Sequence, residues 1–189
     1  TLAYSQENQE TRHEYLKGRK MNPLDSTISV EEKYYMMGYG FQVQKISGYT
    51  ALNHKFNKQH LIKAGLSFDL ISMDFQDSCL YDLDSAALGF ETRWNYQGTA
   101  ALIQPFVQWK WRIPDQMDFT AGVHAQYFTL TNSVSPFEPR LGWKYKMGNG
   151  QAISAGGGLH SMIQPYYTYA YQYLDGKPGN MNMDFSHSA

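Results

Sequence analysis

The chain has 189 residues, with 16 Lys plus Arg against 17 Asp plus Glu, 15 tyrosines and a single cysteine, Cys79. A net charge of −1 gives no global attraction to nucleic acid or to anionic lipid headgroups, and one thiol excludes both an intramolecular disulfide and a cysteine-based zinc site. Charged residues make up 17% and aromatics 15%, the former below the ~25% of soluble domains, and no run approaches the ~18 consecutive apolar residues of a membrane-crossing helix.

In chain order, residues 1 to 12 read as a polar strand and 13 to 32 as a long loop, marked by Gly18 and Asn22-Pro23. From Lys33, Tyr35, Met37, Tyr39, Phe41 and Val43 alternate with Gly38, Gly40, Gln42 and Gln44. Side chains of a strand point alternately to opposite faces, so this is a two-faced strand. It continues to Phe56 with a phase change near Ser47-Gly48, where a β-bulge is expected. After a short turn at Asn57-Lys58, Ile62, Ala64, Leu66, Phe68 and Leu70 alternate with Lys63, Gly65, Ser67 and Asp69. Residues 76 to 95 read as loop.

The clearest pattern follows. Ala101, Ile103, Val107, Trp109 and Trp111 alternate with Leu102, Gln104, Gln108, Lys110 and Arg112. Beyond Pro114-Asp115, Met117, Phe119, Ala121, Val123, Ala125 and Tyr127 alternate with Gln116, Asp118, Thr120, His124 and Gln126. A compact connection at Asn132 to Pro136 leads to Phe137, Leu141, Trp143, Tyr145 and Met147, alternating with Glu138, Arg140, Lys144 and Lys146. Gly148-Asn149 is a hairpin turn. A last strand is expected from Gln151 to about Tyr169, with Ile153, Ala155, Leu159 and Ile163 on its apolar side and a polar loop from Gly179 onward.

The expected fold class is therefore all-β: an antiparallel meander of about seven strands forming part of a large transmembrane β-barrel, with short turns at one rim and longer loops at the other. Trp109, Trp111, Trp143 and Tyr145 fall a few residues from the short turns on the apolar face, where an aromatic girdle at a membrane interface is expected. Gln104, Gln108, Lys110, Arg112, His124, Gln126, Glu138, Arg140 and Lys144 fall on the opposite, lumen-facing side.

Several stretches carry a resemblance. Glu138-Pro139-Arg140-Leu141-Gly142, Ser154 to Gly158 running into Leu159-His160-Ser161, Gln164-Pro165, Leu52-Asn53-His54-Lys55-Phe56 and Ala121 to Tyr127 together resemble the barrel of TonB-dependent outer-membrane receptors of the Bacteroidetes kind. The resemblance covers roughly Lys33 to Tyr169. It implies a barrel of about 22 strands around a plug, placed in the bacterial outer membrane and energised through the TonB complex to import a nutrient. Its partners would be outer-membrane lipid, its own plug and remaining strands, and, as a further option, a surface lipoprotein lid; nucleic acid is not among them. Residues 1–189 lack a plug domain, a TonB box and a terminal strand ending in an aromatic residue. They are therefore expected to be a barrel fragment without plug and closing strands. Thr1 opens no charged and apolar leader, so a signal peptide is expected to be removed or to lie outside this sequence.

Chemical motifs add little. None of His13, His54, His60, His124, His160 and His187 lies in a His-Glu-x-x-His pattern, and Gly156-Gly157-Gly158 precedes no Gly-Lys-Ser/Thr. His124 and His160 read as hydrogen-bonded lumen histidines, and Cys79 as a free thiol. No catalytic constellation, cofactor or metal site is expected, and the chain reads as a non-enzyme. Ligand contacts in such receptors come from outer loops, which here means residues 76–95, 132–136 and the tyrosine-rich run Tyr166, Tyr167, Tyr169, Tyr171 and Tyr173. Two alternatives stay open: a passive porin or small barrel, and a soluble β-sandwich binding module.

Overall fold

A computed structural model describes residues 1–83, 87–114, 116–172, 179–181 and 183–188. Asp115 and Tyr173 lie outside the described residues. Among the described residues the chain is all-β, with one short α-helix. Its strands are β1 (Leu2–Lys17), β2 (Lys20–Met21), β3 (Ile28–Ser29), β4 (Glu32–Lys55), β5 (His60–Leu83), β6 (Ala87–Glu91), β7 (Asn95–Ile113), β8 (Met117–Phe128), β9 (Ser133–Lys146), β10 (Ala152–Gly158), β11 (His160–Met162) and β12 (Ser186–Ser188), with α1 at Tyr166–Tyr169.

Seven of these form one antiparallel meander in the order β1-β4-β5-β7-β8-β9-β10, and β6 pairs the far end of β5. Among the described residues β1 and β10 each have a single neighbour, so the sheet is open at both edges. The 24 residues of β4 and of β5 far exceed the usual five or six.

Short connections fix one end of the sheet. Asn57 Oδ1 accepts the backbone N–H groups of Gln59 and His60, both at 2.8 Å, closing the β4–β5 turn. Asn149 and Gly150 adopt φ of 71° and 75° between β9 and β10, the left-handed region that Asn and Gly tolerate. Arg112, Asp118, Lys144 and Ser154 pair in one row beside these turns, and Arg112 N donates to Gln59 O at 2.8 Å.

Several expectations are corrected. Residues 76–83 and 87–91 are strand and not loop: β5 runs to Leu83, β6 (Ala87–Glu91) pairs along it and β7 starts at Asn95. The expected loop from His13 holds the end of β1 and the β2–β3 hairpin. The connection before β9 is Thr129–Asn132, not Asn132–Pro136, because Ser133 already pairs with Phe128. No bulge occurs at Ser47-Gly48, where β4 and β5 stay in continuous register. Register shifts lie instead at His13/Glu14 and at His124/Gln126. The last strand ends at Gly158; β11 leaves the large sheet to pair with β12, and Tyr166 to Tyr169 are helical.

The apparent phase change near Ser47 has a different cause: the apolar side of the sheet switches from one face to the other. Phe41, Val43, Ile71, Met73, Phe75, Ala100, Leu102 and Phe128 sit on one face, hereafter the core face. There they pack with Trp94, Tyr169, Ala170, Met181, Met183 and Phe185 from the β6–β7 connection and the C-terminal segment. Nearer the short turns, the apolar residues Ile46, Leu70, Ile103 and Val107 lie on the opposite, outer face and are exposed. The polar reading of residues from Gly179 onward is corrected too, since Phe185 is buried in this core.

Candidate functional site

The outer face carries a band defined by the pairing of the strands. Its upper row is Tyr4–Ile46–Leu70–Ala101, followed by Leu2–Gly48–Phe68–Ile103–Tyr127–Val134. Lower rows are Leu52–Ala64–Val107–Val123–Pro139, His54–Ile62–Trp109–Ala121–Leu141–Gly157 and His60–Trp111–Phe119–Trp143–Ala155. No Asp, Glu, Lys or Arg occurs in these rows.

Above the band the character reverses at once: Gln6–Gln44–Ser72–Thr99, then Asn8–Gln42–Asp74–Gln97, then Glu10–Gly40–Gln76–Asn95. From Ala101 to Trp111 the strand rises ~33 Å at ~3.3 Å per residue, or ~23 Å if tilted by ~45°. The apolar zone of outer-membrane barrels is ~25 Å tall.

At the short-turn edge of the band the rings gather. Trp109 and Trp111 stack at 6.3 Å, His60 stacks on both at 5.7 and 6.0 Å, and Trp143 stacks on Tyr145 at 6.1 Å. Phe119 meets Trp109 edge-on at 6.1 Å. The four residues read as a girdle therefore lie on one face, within three adjacent rows. Two glycines in the same region are covered by rings: Phe68 lies where a Cβ of Gly48 would stand on the outer face, and Phe106 does so for Gly65 on the core face.

All nine residues expected to face a lumen share the core face, as the pairings Arg112–Asp118–Lys144, Gln108–Gly122–Arg140 and His124–Glu138 require. They form a graded set. Lys144 and Arg112 are exposed near the turns, Arg112 donating to Asp118 at 3.0 Å. Higher up they converge on Glu138, which is 1% exposed.

The Glu138 carboxylate accepts Gln126 Nε2 at 2.8 Å and the Ser161 hydroxyl, and lies 2.9 Å from His124 Nδ1 and 3.8 Å from Arg140 Nη2. Gln126 Nε2 also reaches Ser161 O at 2.8 Å, while its own Oε1 accepts Gln104 Nε2 at 2.9 Å. Arg140 Nη2 and His160 Nδ1 are 3.2 Å apart. A buried carboxylate is tolerable only when so satisfied, and no buried side-chain N or O among the described residues lacks a partner.

Chemically the cluster is a clamp. Glu138 stands between Ser161 and His124, so the histidine cannot take the serine's proton directly, which nucleophilic catalysis by such a trio would need. Among the described residues no three His, Cys, Asp or Glu side chains converge as a metal site. The cluster instead ties Ser161, where the chain has left the sheet, to β8 and β9. The sequence hid this because Glu138 needs the bulge at His124/Gln126 to bring it beside Gln126, and Ser161 arrives from outside the sheet.

A second anchor lies higher. Arg93 donates to both oxygens of Asp77 at 2.6 and 3.2 Å, a hydrogen bond that raises the Arg93 pKa. The Asp77 side chain is fully buried. Trp94 Nε1 donates to Tyr167 O at 2.7 Å and Gln172 N donates to Arg93 O at 2.8 Å.

The tyrosines named as ligand candidates divide. Tyr169 is buried in the core with its hydroxyl accepting Gln164 N at 2.8 Å. Tyr166 is half-buried, and Tyr171 packs edge-on against Trp94 at 5.3 Å. Tyr167 is exposed, its ring near-parallel to Phe41 at 6.0 Å.

Compared with known proteins, the chain matches no family model, no curated sequence and no solved structure.

Proposed function

We propose that this sheet is part of the wall of a membrane-spanning β-barrel in the bacterial outer membrane, belonging to a TonB-dependent receptor that imports a nutrient. The observation that carries the barrel reading is the charge-free band on the outer face, bounded sharply above by polar rows, with charged and amide side chains opposite it on the core face. A lipid-facing wall needs this pattern, whereas a sandwich sheet would hide it against a second sheet. The two open edges fit the same reading. Unpaired strand edges cost several kcal/mol per group in hydrocarbon, so in a membrane further strands complete the sheet. The narrower receptor reading is supported by the resemblance of the sequence stretches alone.

The test is a nitroxide scan through β7 and β9 of the whole protein in lipid, on a Cys79→Ser background. Labels at 101, 103, 107, 109 and 141 should show high accessibility to oxygen, and those at 104, 108 and 140 to a water-soluble nickel chelate. Accessibility without a two-residue period, or with the chelate favouring 103 and 107, rejects a lipid-facing band. Growth supported by the protein should then vanish in a strain lacking TonB; growth that persists favours the passive porin.

A further inference from the structure

A groove of about 350 Å³ opens on the core face between β1, β4 and helix α1. Its floor is Phe41, Val43 and Phe75, its far wall is Tyr166 and Tyr167, and Glu7 with Gln9 form the rim on β1. Register places the rim correctly: Glu7 pairs with Val43 and Gln9 with Phe41, so both side chains share the core face.

The rings form one packed cluster, of which Phe41, Phe75 and Tyr167 line the groove. Phe41 meets Phe75 edge-on at 5.0 Å and Trp94 edge-on at 5.3 Å, and Tyr167 lies near-parallel to it at 6.0 Å. Such ring faces present negative charge and attract cations.

Charge bookkeeping on this face sharpens the assignment. Asp69 faces Lys45 at 3.8 Å, Asp77 holds Arg93, Asp118 holds Arg112, and Glu138 has His124 and Arg140 beside it. Glu7 has only the amide of Gln9 and no cationic partner among the described residues. No Lys, Arg or His lines the groove. An aromatic slot of small-ligand size, with one unmatched carboxylate at its mouth, complements a compact organic cation and repels an anion.

We propose that this groove binds a small organic cation of the quaternary-ammonium class, its methyl groups against Phe41 and Tyr167 and its charge beside Glu7. The site depends on the upper part of the sheet and the C-terminal segment, not on what covers the band below. Its failure would therefore leave the membrane reading standing, and the reverse.

Trp94 packs against Phe41 and supplies the signal. In the whole protein, titration with choline should change tryptophan fluorescence saturably, and that change should be lost when Trp94 alone is replaced by Phe. The uncharged carbon analogue 3,3-dimethylbutan-1-ol should bind at least tenfold more weakly. Glu7→Gln, at an exposed position, should weaken choline at least fivefold and leave the alcohol unchanged, and Tyr167→Ala should weaken both. Equal affinity for choline and the alcohol, an unaltered choline affinity in Glu7→Gln, or no saturable change at all would overturn the proposal.

Discussion

Val107→Arg puts the membrane reading at risk most directly. Val107 is 42% exposed on the outer face, in the row Ala64–Val107–Val123–Pro139, about midway between the Ala101 and Trp111 rows. If water covers this face, an exposed Val→Arg change stays within about 0.5 kcal/mol. If lipid covers it, arginine at mid-depth costs about 2–4 kcal/mol, falling to about 0–1 near the interfaces. With the water case at its upper ~0.5 kcal/mol, the two cases still differ by at least ~1.5 kcal/mol, more than ~10-fold in the folding equilibrium. Gln108→Arg is the internal control, since its side chain lies on the core face between Lys63 and Gly122; it should cost less than about 0.5 kcal/mol. Met117→Arg, beside the short turns, should fall between the two, and Gln97→Arg, in the polar rows above the band, should be neutral. The assay is reversible denaturant unfolding of the whole protein in phosphatidylcholine vesicles, followed by tryptophan fluorescence. Equal costs at 107 and 108, or no dependence on height between 97, 107 and 117, would refute the band.

Glu138→Ala should destabilise by about 1–3 kcal/mol, because it leaves the buried Ser161 hydroxyl without its carboxylate acceptor and Gln126 Nε2 with Ser161 alone; hydrogen exchange should accelerate at residues 159–163 but not in the β9–β10 turn, and uniform acceleration would deny the clamp. Arg93→Ala should cost about 3 kcal/mol by stranding the buried Asp77 carboxylate, and an Arg93→Ala/Asp77→Asn double-mutant cycle should recover much of it; additive losses would mean the pair is not coupled. Burial raises the Tyr166 and Tyr169 pKa values above the ordinary 10.0. The folded state therefore favours the neutral phenols, and their contribution is full below about pH 10 and lost as pH rises through the raised values; exchange protection of residues 164–170 that is flat to pH 11.5 would contradict this. Gly65→Ala should destabilise by about 1–3 kcal/mol, since its Cβ would stand 2.5 Å from Thr50 O and 2.7 Å from the Phe106 ring; Phe106→Leu in the same background should not relieve it, because backbone sets the closer contact.

Alternation alone settled the part of the fold in which one face stays apolar for the whole strand. From Ala101 to Tyr145 the order of strands, the short turns and the division between Trp109 and Gln108, or Trp143 and Lys144, follow from side chains pointing alternately up and down. Where β4 and β5 climb past Ile46 and Leu70, the same rule misled. The apolar residues move from even to odd positions because the C-terminal segment covers the core face there. A chain more than 90 residues away in sequence from Ile71 and Met73 thus decides which parity is buried. Residues 76–83 and 87–91 looked like loop because they hold no long two-faced alternation of their own, and only the pairing of β6 along β5 makes them strand. Glu138 shows the sharpest limit. Its charge announced a polar face, but its burial depends on a one-residue bulge and on Ser161 crossing back over the sheet. Both belong to long-range packing, and local periodicity carries no record of either.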